Sequence, residues 1–149
     1  MKKIILILIL ILIMAFSFVG CSKNVNLNLE EINKNLSDTD LFSETEKIDI
    51  SYLEEKYGLD STGIEEYSIY MATETASASM YAIFKVTDSS VKENIESTFI
   101  DKYISSWTTI VYEPEEVKLV NNMYIEEYGN YLIYIISKDN DKAIGIIKN

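Results

Sequence analysis

The segment "GNYLIYIIS" at residues 129–137 constrains the fold more strongly than any other feature of the sequence. Gly129 and Asn130 separate two apolar runs, and a two-residue connection with glycine first is typical of a type II′ hairpin turn. The run that follows the turn is apolar on both of its faces, which favours a strand in the interior of a sheet. The sequence therefore predicts an antiparallel hairpin, 123–128 and 131–137, whose second strand is central.

A second hairpin and a long helix are predicted upstream of the first. Residues 67–71 and 80–86 both alternate with period two around the small residues of "TETASAS". Ser90, followed three residues later by Glu93, matches a capping box and predicts the start of a helix. Apolar residues then recur at every fourth position and should cover the sheet: Val91, Ile95, Phe99, Tyr103 and Trp107.

Two shorter helices are predicted before the first hairpin. Leu29, Ile32 and Leu36 have helical spacing, and the polar segment 38–46 reads as a loop. The second helix should begin at an Asp49 cap and end at Gly58, where a left-handed residue costs least.

Two more helices are predicted in the last third of the chain. Pro114 suits the first position of a helix that reaches about Asn121, with two glutamates at its positive end. The last helix should be capped near Asp139, and Gly145 weakens it. The predicted class is α+β, with a four-stranded, largely antiparallel sheet covered by helices in the order α-α-β-β-α-α-β-β-α.

An internal similarity divides the domain into two αββα halves. The segment "YAIFKVTDSSVK" at 81–92 aligns with "YLIYIISKDNDK" at 131–142. Two related halves that share one sheet would explain this match, and chance similarity of two αββα units would explain it equally well.

The N-terminal region resembles the leader of a bacterial lipoprotein. Lys2 and Lys3 precede the uncharged run 4–19, which is short for a membrane span of about 20 residues. Gly20 then precedes Cys21, the only cysteine, in a lipobox-like sequence. We expect a signal peptide at 1–20, cleavage between Gly20 and Cys21, lipid attachment at Cys21, a tether at 21–26 and a single domain at 27–149. A plain signal peptide cut elsewhere, or an uncleaved anchor, is the alternative.

These features predict the location and the partners of the protein. A palmitate-type lipid anchor would place it on the extracytoplasmic face of the cell membrane of a Gram-positive bacterium. Loss of residues 1–20 would change the formal charge from −11 to −13, so the acidic faces should point away from anionic lipid. All 13 basic residues are lysines without a basic stripe, and we expect no nucleic-acid partner.

The composition argues against several kinds of catalytic site. The chain has no histidine, and lipidation would consume its one cysteine. Ser/His and Cys/His catalysis and histidine metal sites are therefore excluded. The glycines are too scattered for a phosphate loop or a dinucleotide fingerprint, and we expect no metal and no cofactor.

Carboxylates are the remaining candidates for catalysis. Neighbouring residues on a helix or strand diverge, so solvated faces are the expected role of the Glu-Glu doublets. These doublets are Glu30/Glu31, Glu54/Glu55, Glu65/Glu66, Glu115/Glu116 and Glu126/Glu127. Asp139 and Asp141 resemble the start of a calcium loop, but Ala143 and Ile144 stand at positions where a ligand and a glycine belong. A helix cap is the expected role.

Eleven tyrosines are a further surplus. Four of them on predicted strands could form an exposed row that stacks on glycan or peptide, or could pack half-buried under helices: Tyr67, Tyr81, Tyr131 and Tyr134. Packing is favoured because tyrosine suits strands.

Several short segments together resemble the clostridial-type lipoproteins called domain of unknown function 4358, over roughly residues 27–148. They are "YGLD" at 57–60, "EEY" at 65–67, "AIFKVTD" at 82–88, "YEPEE" at 112–116 and "GNYLIYI" at 129–135. Met80 stands where the family pattern implies a glutamate, and the long helix lacks the family's arginine and glutamine. The resemblance implies an anchored α+β domain with nothing catalytic.

The expected function is that of a lipid-anchored binding or scaffolding module, not an enzyme. Its partner would be a glycan, a peptide or a membrane protein. The alternatives are an enzyme that uses two distant carboxylates on cell-wall glycan, and a structural subunit with an exposed apolar patch.

Overall fold

The computed structural model describes residues 25–109 and 113–149. The predicted signal peptide, the Gly20–Cys21 cleavage site and most of the tether lie outside the described residues, as does Tyr112 of the "YEPEE" segment.

The described residues form five strands, six α-helices and one π-helical turn. The strands are β1 Thr45–Lys47, β2 Ile64–Ala72, β3 Met80–Val86, β4 Tyr124–Tyr128 and β5 Tyr131–Ile136. The helices are α1 Leu29–Ser37, α2 Ile50–Tyr57, α3 Ser89–Ile95, α4 Asp101–Thr109, α5 Pro114–Asn121 and α6 Asn140–Lys148. A π-helical turn, Glu96–Ile100, joins α3 to α4.

The strands form one antiparallel sheet in the order β1-β2-β3-β5-β4. The α+β class is confirmed, and every residue of β5 is buried in an interior strand, as its double-sided apolar run predicts. Only Gly129 of the two turn residues has a positive φ, 62°, as a type II′ turn requires at its first central position.

The prediction of four strands is wrong because the segment predicted as a loop contributes a fifth strand. Thr45–Lys47 pairs with Tyr70–Ala72 at the edge of the sheet. An edge strand can be short and polar because it borders solvent, so it lacks the apolar alternation that reveals interior strands. The predicted element order also lacks the division of the long helix.

The sheet separates two hydrophobic clusters. The first cluster lies under α2, α3, the π-helical turn, α4 and α5, and the second lies under α1 and α6. Tyr81, Ile83 and Ile133 point to the second cluster, whereas Phe84 and Tyr134 point to the first. Helices therefore cover both faces of the sheet.

The π-helical turn explains how a strict four-residue repeat stays buried over five positions. In an α-helix four residues turn by about 400°, so such a stripe drifts by about 40° at each repeat. A π turn holds more residues per turn and reverses part of this drift. All five residues of the predicted stripe are buried, so their role is confirmed.

Most helix ends lie where the sequence predicts them. Asp49 and Asp139 cap α2 and α6, and Gly58 ends α2 with φ of 76°. The capping box at Ser90 is wrong, because Asp88 is the N-cap of α3 and its Oδ1 accepts the Ser90 N–H at 2.9 Å. The Ser90 hydroxyl also donates to Asp88, which lowers the pKa of this carboxyl.

The two halves are related in their strands but not in all of their helices. Ile83 pairs with Ile133, and the neighbouring pairs in this register are Tyr81 with Ile135 and Lys85 with Tyr131. A two-fold axis perpendicular to the sheet that relates the segment 81–92 to the aligned segment 131–142 would produce this register. However, α3 and α6, which follow the two equivalent strands, pack on opposite faces. The similarity thus covers the hairpins and the helices before them, α2 and α5, which both pack against the first cluster, but not α3 and α6. Both of its explanations stay open.

Candidate binding groove

A groove lies beside α1, where the second face of the sheet meets its β1–β2 edge. Two cavities, of about 380 Å³ and 630 Å³, form the groove and are both lined by Ser37 and Tyr70. Each volume falls in the range of roughly 300–1,000 Å³ that is usual for ligand pockets. We call the smaller cavity the loop lobe and the larger one the lysine lobe.

The loop lobe has an aromatic floor and hydroxyl-bearing walls. Its lining residues are Leu36, Ser37, Thr39, Phe42, Ser43, Glu44, Thr45, Tyr70 and Tyr81. The ring of Tyr70 stacks on that of Tyr81, with centroids 4.9 Å apart and planes 14° apart. Phe42 packs against Tyr81 at 5.2 Å. Because Tyr81 is buried, it holds the two half-buried rings in place.

Serine hydroxyls fix the wall of the loop lobe to the β2–β3 connection. The Ser43 N–H donates to Ser79 Oγ at 3.2 Å, and the hydroxyls of Ser43 and Ser77 lie 2.8 Å apart. Thr39 Oγ1 donates to the Leu36 carbonyl at 2.7 Å, which folds the chain back after α1. The segment 39–44, which has no regular secondary structure, is thus held in place by specific contacts.

The lysine lobe runs along α1 and is lined by amine, amide and phenol groups. Its lining residues are Leu29, Glu30, Asn33, Lys34, Ser37, Lys47, Tyr67 and Tyr70. Asn33 Oδ1 accepts hydrogen bonds from the hydroxyls of Ser68, at 2.6 Å, and Tyr81, at 3.2 Å. Burial raises the pKa of Tyr81, so its hydroxyl stays protonated as a donor. Asn33 Nδ2 makes no hydrogen bond with the described residues, which leaves its N–H donors available.

The two lysines of this lobe are among the described lysines that take part in no salt bridge. Within residues 25–109 and 113–149, Lys34 and Lys47 form no salt bridge, whereas Lys85, Lys92 and Lys148 each bind one or two glutamates. Both are exposed, and Lys47 lies opposite Tyr70 in the β1–β2 pairing. Glu30, which also lines the lobe, precedes Lys34 by one helical turn.

The predicted tyrosines pack in the core and do not form an exposed row. Tyr81, Tyr131 and Tyr134 are buried, and Tyr67 is half-buried with its hydroxyl donating to Asp49 at 3.1 Å. Two of them, Tyr81 and Tyr67, also line the groove, beside Tyr70, which sequence reasoning missed. The sequence did carry a signal for Tyr70. It lies three positions after Tyr67 on the same strand, so its side chain faces the opposite side of β2.

The two glutamate doublets on strands differ in whether their side chains point in opposite directions. Glu126 contacts Lys148 and Glu127 contacts Lys92, so this pair diverges as predicted. Glu65 and Glu66 both contact Lys85, at 3.8 Å and 3.4 Å. The expectation that strand neighbours face opposite sides is therefore wrong here, because the pairing register shifts between Ile64 and Glu66 and such an irregularity re-aims side chains.

The helical doublets and the aspartates near the C-terminus have structural roles or face solvent. Glu116 accepts the Ala78 N–H at 2.7 Å, and Glu54 accepts the Ser61 hydroxyl. Asp139 caps α6 by accepting the Lys142 N–H at 3.0 Å, which confirms the predicted cap. Across the described ranges, no group of three or more potential ligands is placed to hold a metal ion.

A smaller cleft, of about 230 Å³, contains two carboxylates, those of Asp88 and Glu127. Asp88 caps α3, and hydrogen bonds from Ser90 lower its pKa. Glu127 is paired with Lys92, which also lies 3.9 Å from Glu96. Asp88 thus has partners that favour its ionised form, which is unsuited to a general acid.

Comparisons with known proteins give one match. The family model described as "Domain of unknown function (DUF4358)" matches residues 37–137, which include the whole sheet and the loop lobe except Leu36. No curated protein and no solved structure matches the chain. In the described part of the chain, no helix has the length and apolar character needed to span a bilayer.

Proposed function

Because the chain belongs to the DUF4358 family, for which no function is defined, we propose a function from its groove and its leader sequence. The protein is a lipid-anchored, extracytoplasmic module that binds glycan in the groove beside α1. The observation that carries the binding role is the groove itself, with the ring of Tyr70 shared by its two lobes. The anchor is supported by the leader sequence that ends at Cys21.

The contacts of the first described residues support a short connection to the membrane. Val25 and Leu27 pack against the second hydrophobic cluster, and the Leu27 N–H donates to Tyr131 Oη at 3.2 Å. Leu27 is the sixth residue after Cys21, and a chain of six residue steps spans at most about 20 Å. The domain would therefore bind its ligand close to the membrane surface.

Glycan is favoured over peptide by the chemistry of the loop lobe. A sugar ring offers an apolar face to an aromatic ring and hydroxyls at its edge, and this lobe combines the rings of Phe42 and Tyr70 with four hydroxyl side chains. These groups are held by packing and hydrogen bonds, so little ordering is required when a ligand binds.

A binding role is favoured over catalysis and over a structural subunit. A glycosidase needs two carboxyl groups on either side of one glycosidic bond, one of them protonated, whereas the two carboxylates of the groove, Glu44 and Glu30, line different lobes. The exposed large apolar residues in the described chain are Tyr52 and Ile125, which lie on different elements and form no apolar patch.

The anchor predicts that Cys21 is modified in cells. A clickable fatty acid fed to the producing cells should label the wild-type protein and not the Cys21→Ser variant. The membrane fraction should retain the wild type and lose the variant. A wild-type protein that carries no label would contradict the anchor and leave the groove untouched.

The groove predicts that Tyr70→Ala weakens binding of chitotetraose, a neutral N-acetylglucosamine oligomer, by about ten-fold. Calorimetry on residues 24–149 measures the affinity. The matched control is Tyr124→Ala, since Tyr124 is also a half-buried strand tyrosine packed against the second cluster but lies outside the groove. Equal affinities for the wild type and both variants would contradict the proposal.

A further inference from the structure

We propose that the glycan bound in the groove carries an acidic group, and that the lysine lobe receives it. The inference rests on the proposed function, since it names the ligand class of the same groove. It concerns sugars with a carboxylate on one unit and a neutral neighbouring unit.

The two lobes differ in charge. The loop lobe contains one charged residue, Glu44, whereas the lysine lobe contains Lys34, Lys47 and Glu30. The loop lobe thus repels a carboxylate, and the lysine lobe has a net positive charge in a chain whose formal charge is −11. A ligand with one acidic end would be bound in one direction only.

The amines of the lysine lobe are not held in salt bridges, although Lys47 is close enough to the carboxylate of Asp49 to attract it. Lys34 and Lys47 make no salt bridge with the described residues, so an incoming carboxylate would not have to displace a glutamate. Asn33 adds neutral N–H donors, because its carbonyl oxygen already accepts from Ser68 and Tyr81. Hydrogen bonds from charged or amide donors to a carboxylate are stronger than those between neutral groups.

The lobes are also placed to be occupied together. Tyr70 and Ser37 line both, so one oligosaccharide can span from the aromatic floor to the lysines. The lysines come from separate elements, α1 and β1, and lie on the same groove as the ring of Tyr70. A neutral unit in the loop lobe would thus place its acidic neighbour beside both amines.

The test compares two tetrasaccharides by calorimetry on residues 24–149. Hyaluronan tetrasaccharide alternates N-acetylglucosamine with glucuronate, and chitotetraose contains N-acetylglucosamine alone. We expect the wild type to bind hyaluronan tetrasaccharide at least about five-fold more tightly, and this preference to decline as salt is raised. Lys34→Gln/Lys47→Gln should remove the preference, so that this variant binds the two sugars with equal affinity.

The control variant is Lys118→Gln/Lys142→Gln, which removes the same charge from exposed lysines outside the groove and should retain the preference. Equal binding of the two sugars by the wild type, with no effect of the groove lysines, would overturn this inference and leave the proposed function standing. Binding of neither sugar would overturn both. Tighter binding of a poly-glutamate peptide would overturn the assignment to glycan.

Discussion

Replacing Phe99 by alanine should lower the free energy of unfolding by about 3–5 kcal/mol. The ring is fully buried in the π-helical turn and contacts Tyr57, Phe84 and Tyr103, with centroid distances of 5.3 Å, 6.4 Å and 6.0 Å. It therefore joins the long helix both to α2 and to the sheet. Truncation leaves a cavity that none of these three rigid partners can fill, which is why the expected cost is at the upper end for core residues.

Urea denaturation of the purified domain measures this loss. Ser97→Ala is the control within the same turn, because Ser97 is exposed and its hydroxyl bonds only to carbonyls of its own helix. Its effect should stay within about 0.5 kcal/mol. A loss below about 1 kcal/mol for Phe99→Ala would mean that the π-helical turn does not pack as described.

Replacing Gly63 by alanine should lower the free energy of unfolding by roughly 2–5 kcal/mol. Gly63 has φ of 85°, which disfavours any side chain by about 1–2 kcal/mol. An added Cβ would also lie 2.6 Å from Val91 Cγ2 and 2.8 Å from Thr87 Oγ1. Overpacking of this kind typically costs a further 1–3 kcal/mol, roughly.

Gly145→Ala is the opposite case and the matched control. Gly145 lies within α6, and a Cβ there would meet no atom within 4 Å. Alanine should therefore stabilise the domain by about 0.5–1 kcal/mol through its helix propensity. Thermal unfolding of both variants distinguishes them by sign, and a neutral Gly63→Ala would contradict the described contact between the start of β2 and α3.

Features encoded over a few neighbouring residues could be predicted from the sequence. The hairpin at Gly129 and Asn130, the central strand after it, and the caps at Asp49 and Asp139 each depend on local chemistry. The buried stripe of the long helix was also predictable, because its apolar spacing is sustained over 17 residues. The family resemblance was independently confirmed.

Features that depend on distant segments were not predictable. β1 forms because residues 45–47 meet residues 70–72, and nothing in the polar sequence of β1 indicates that pairing. The cap of α3 was misplaced because Asp88 and Ser90 are both good N-cap residues, and only the path of the chain after β3 selects Asp88.

The groove has the same dependence on distant segments. Its floor and walls come from α1, the segment 39–44, β1, β2 and β3, which the fold brings together near one edge of the sheet. Sequence reasoning selected Tyr67 and Tyr81, which line the groove, but it also selected two core residues, Tyr131 and Tyr134, and missed Tyr70. Whether Lys34 and Lys47 have glutamate partners is a property of the folded surface, so the lysine lobe could not be recognised beforehand.

Chemical-shift mapping with chitotetraose tests the central claim most directly, because it locates the ligand on the surface. Titration of 15N-labelled residues 24–149 should shift the amide signals of residues 39–45 and 67–70 and leave those around Lys92 and Glu127 in place. Shifts confined to the cleft beside Lys92, or no shifts at concentrations that saturate binding, would contradict a glycan site beside α1.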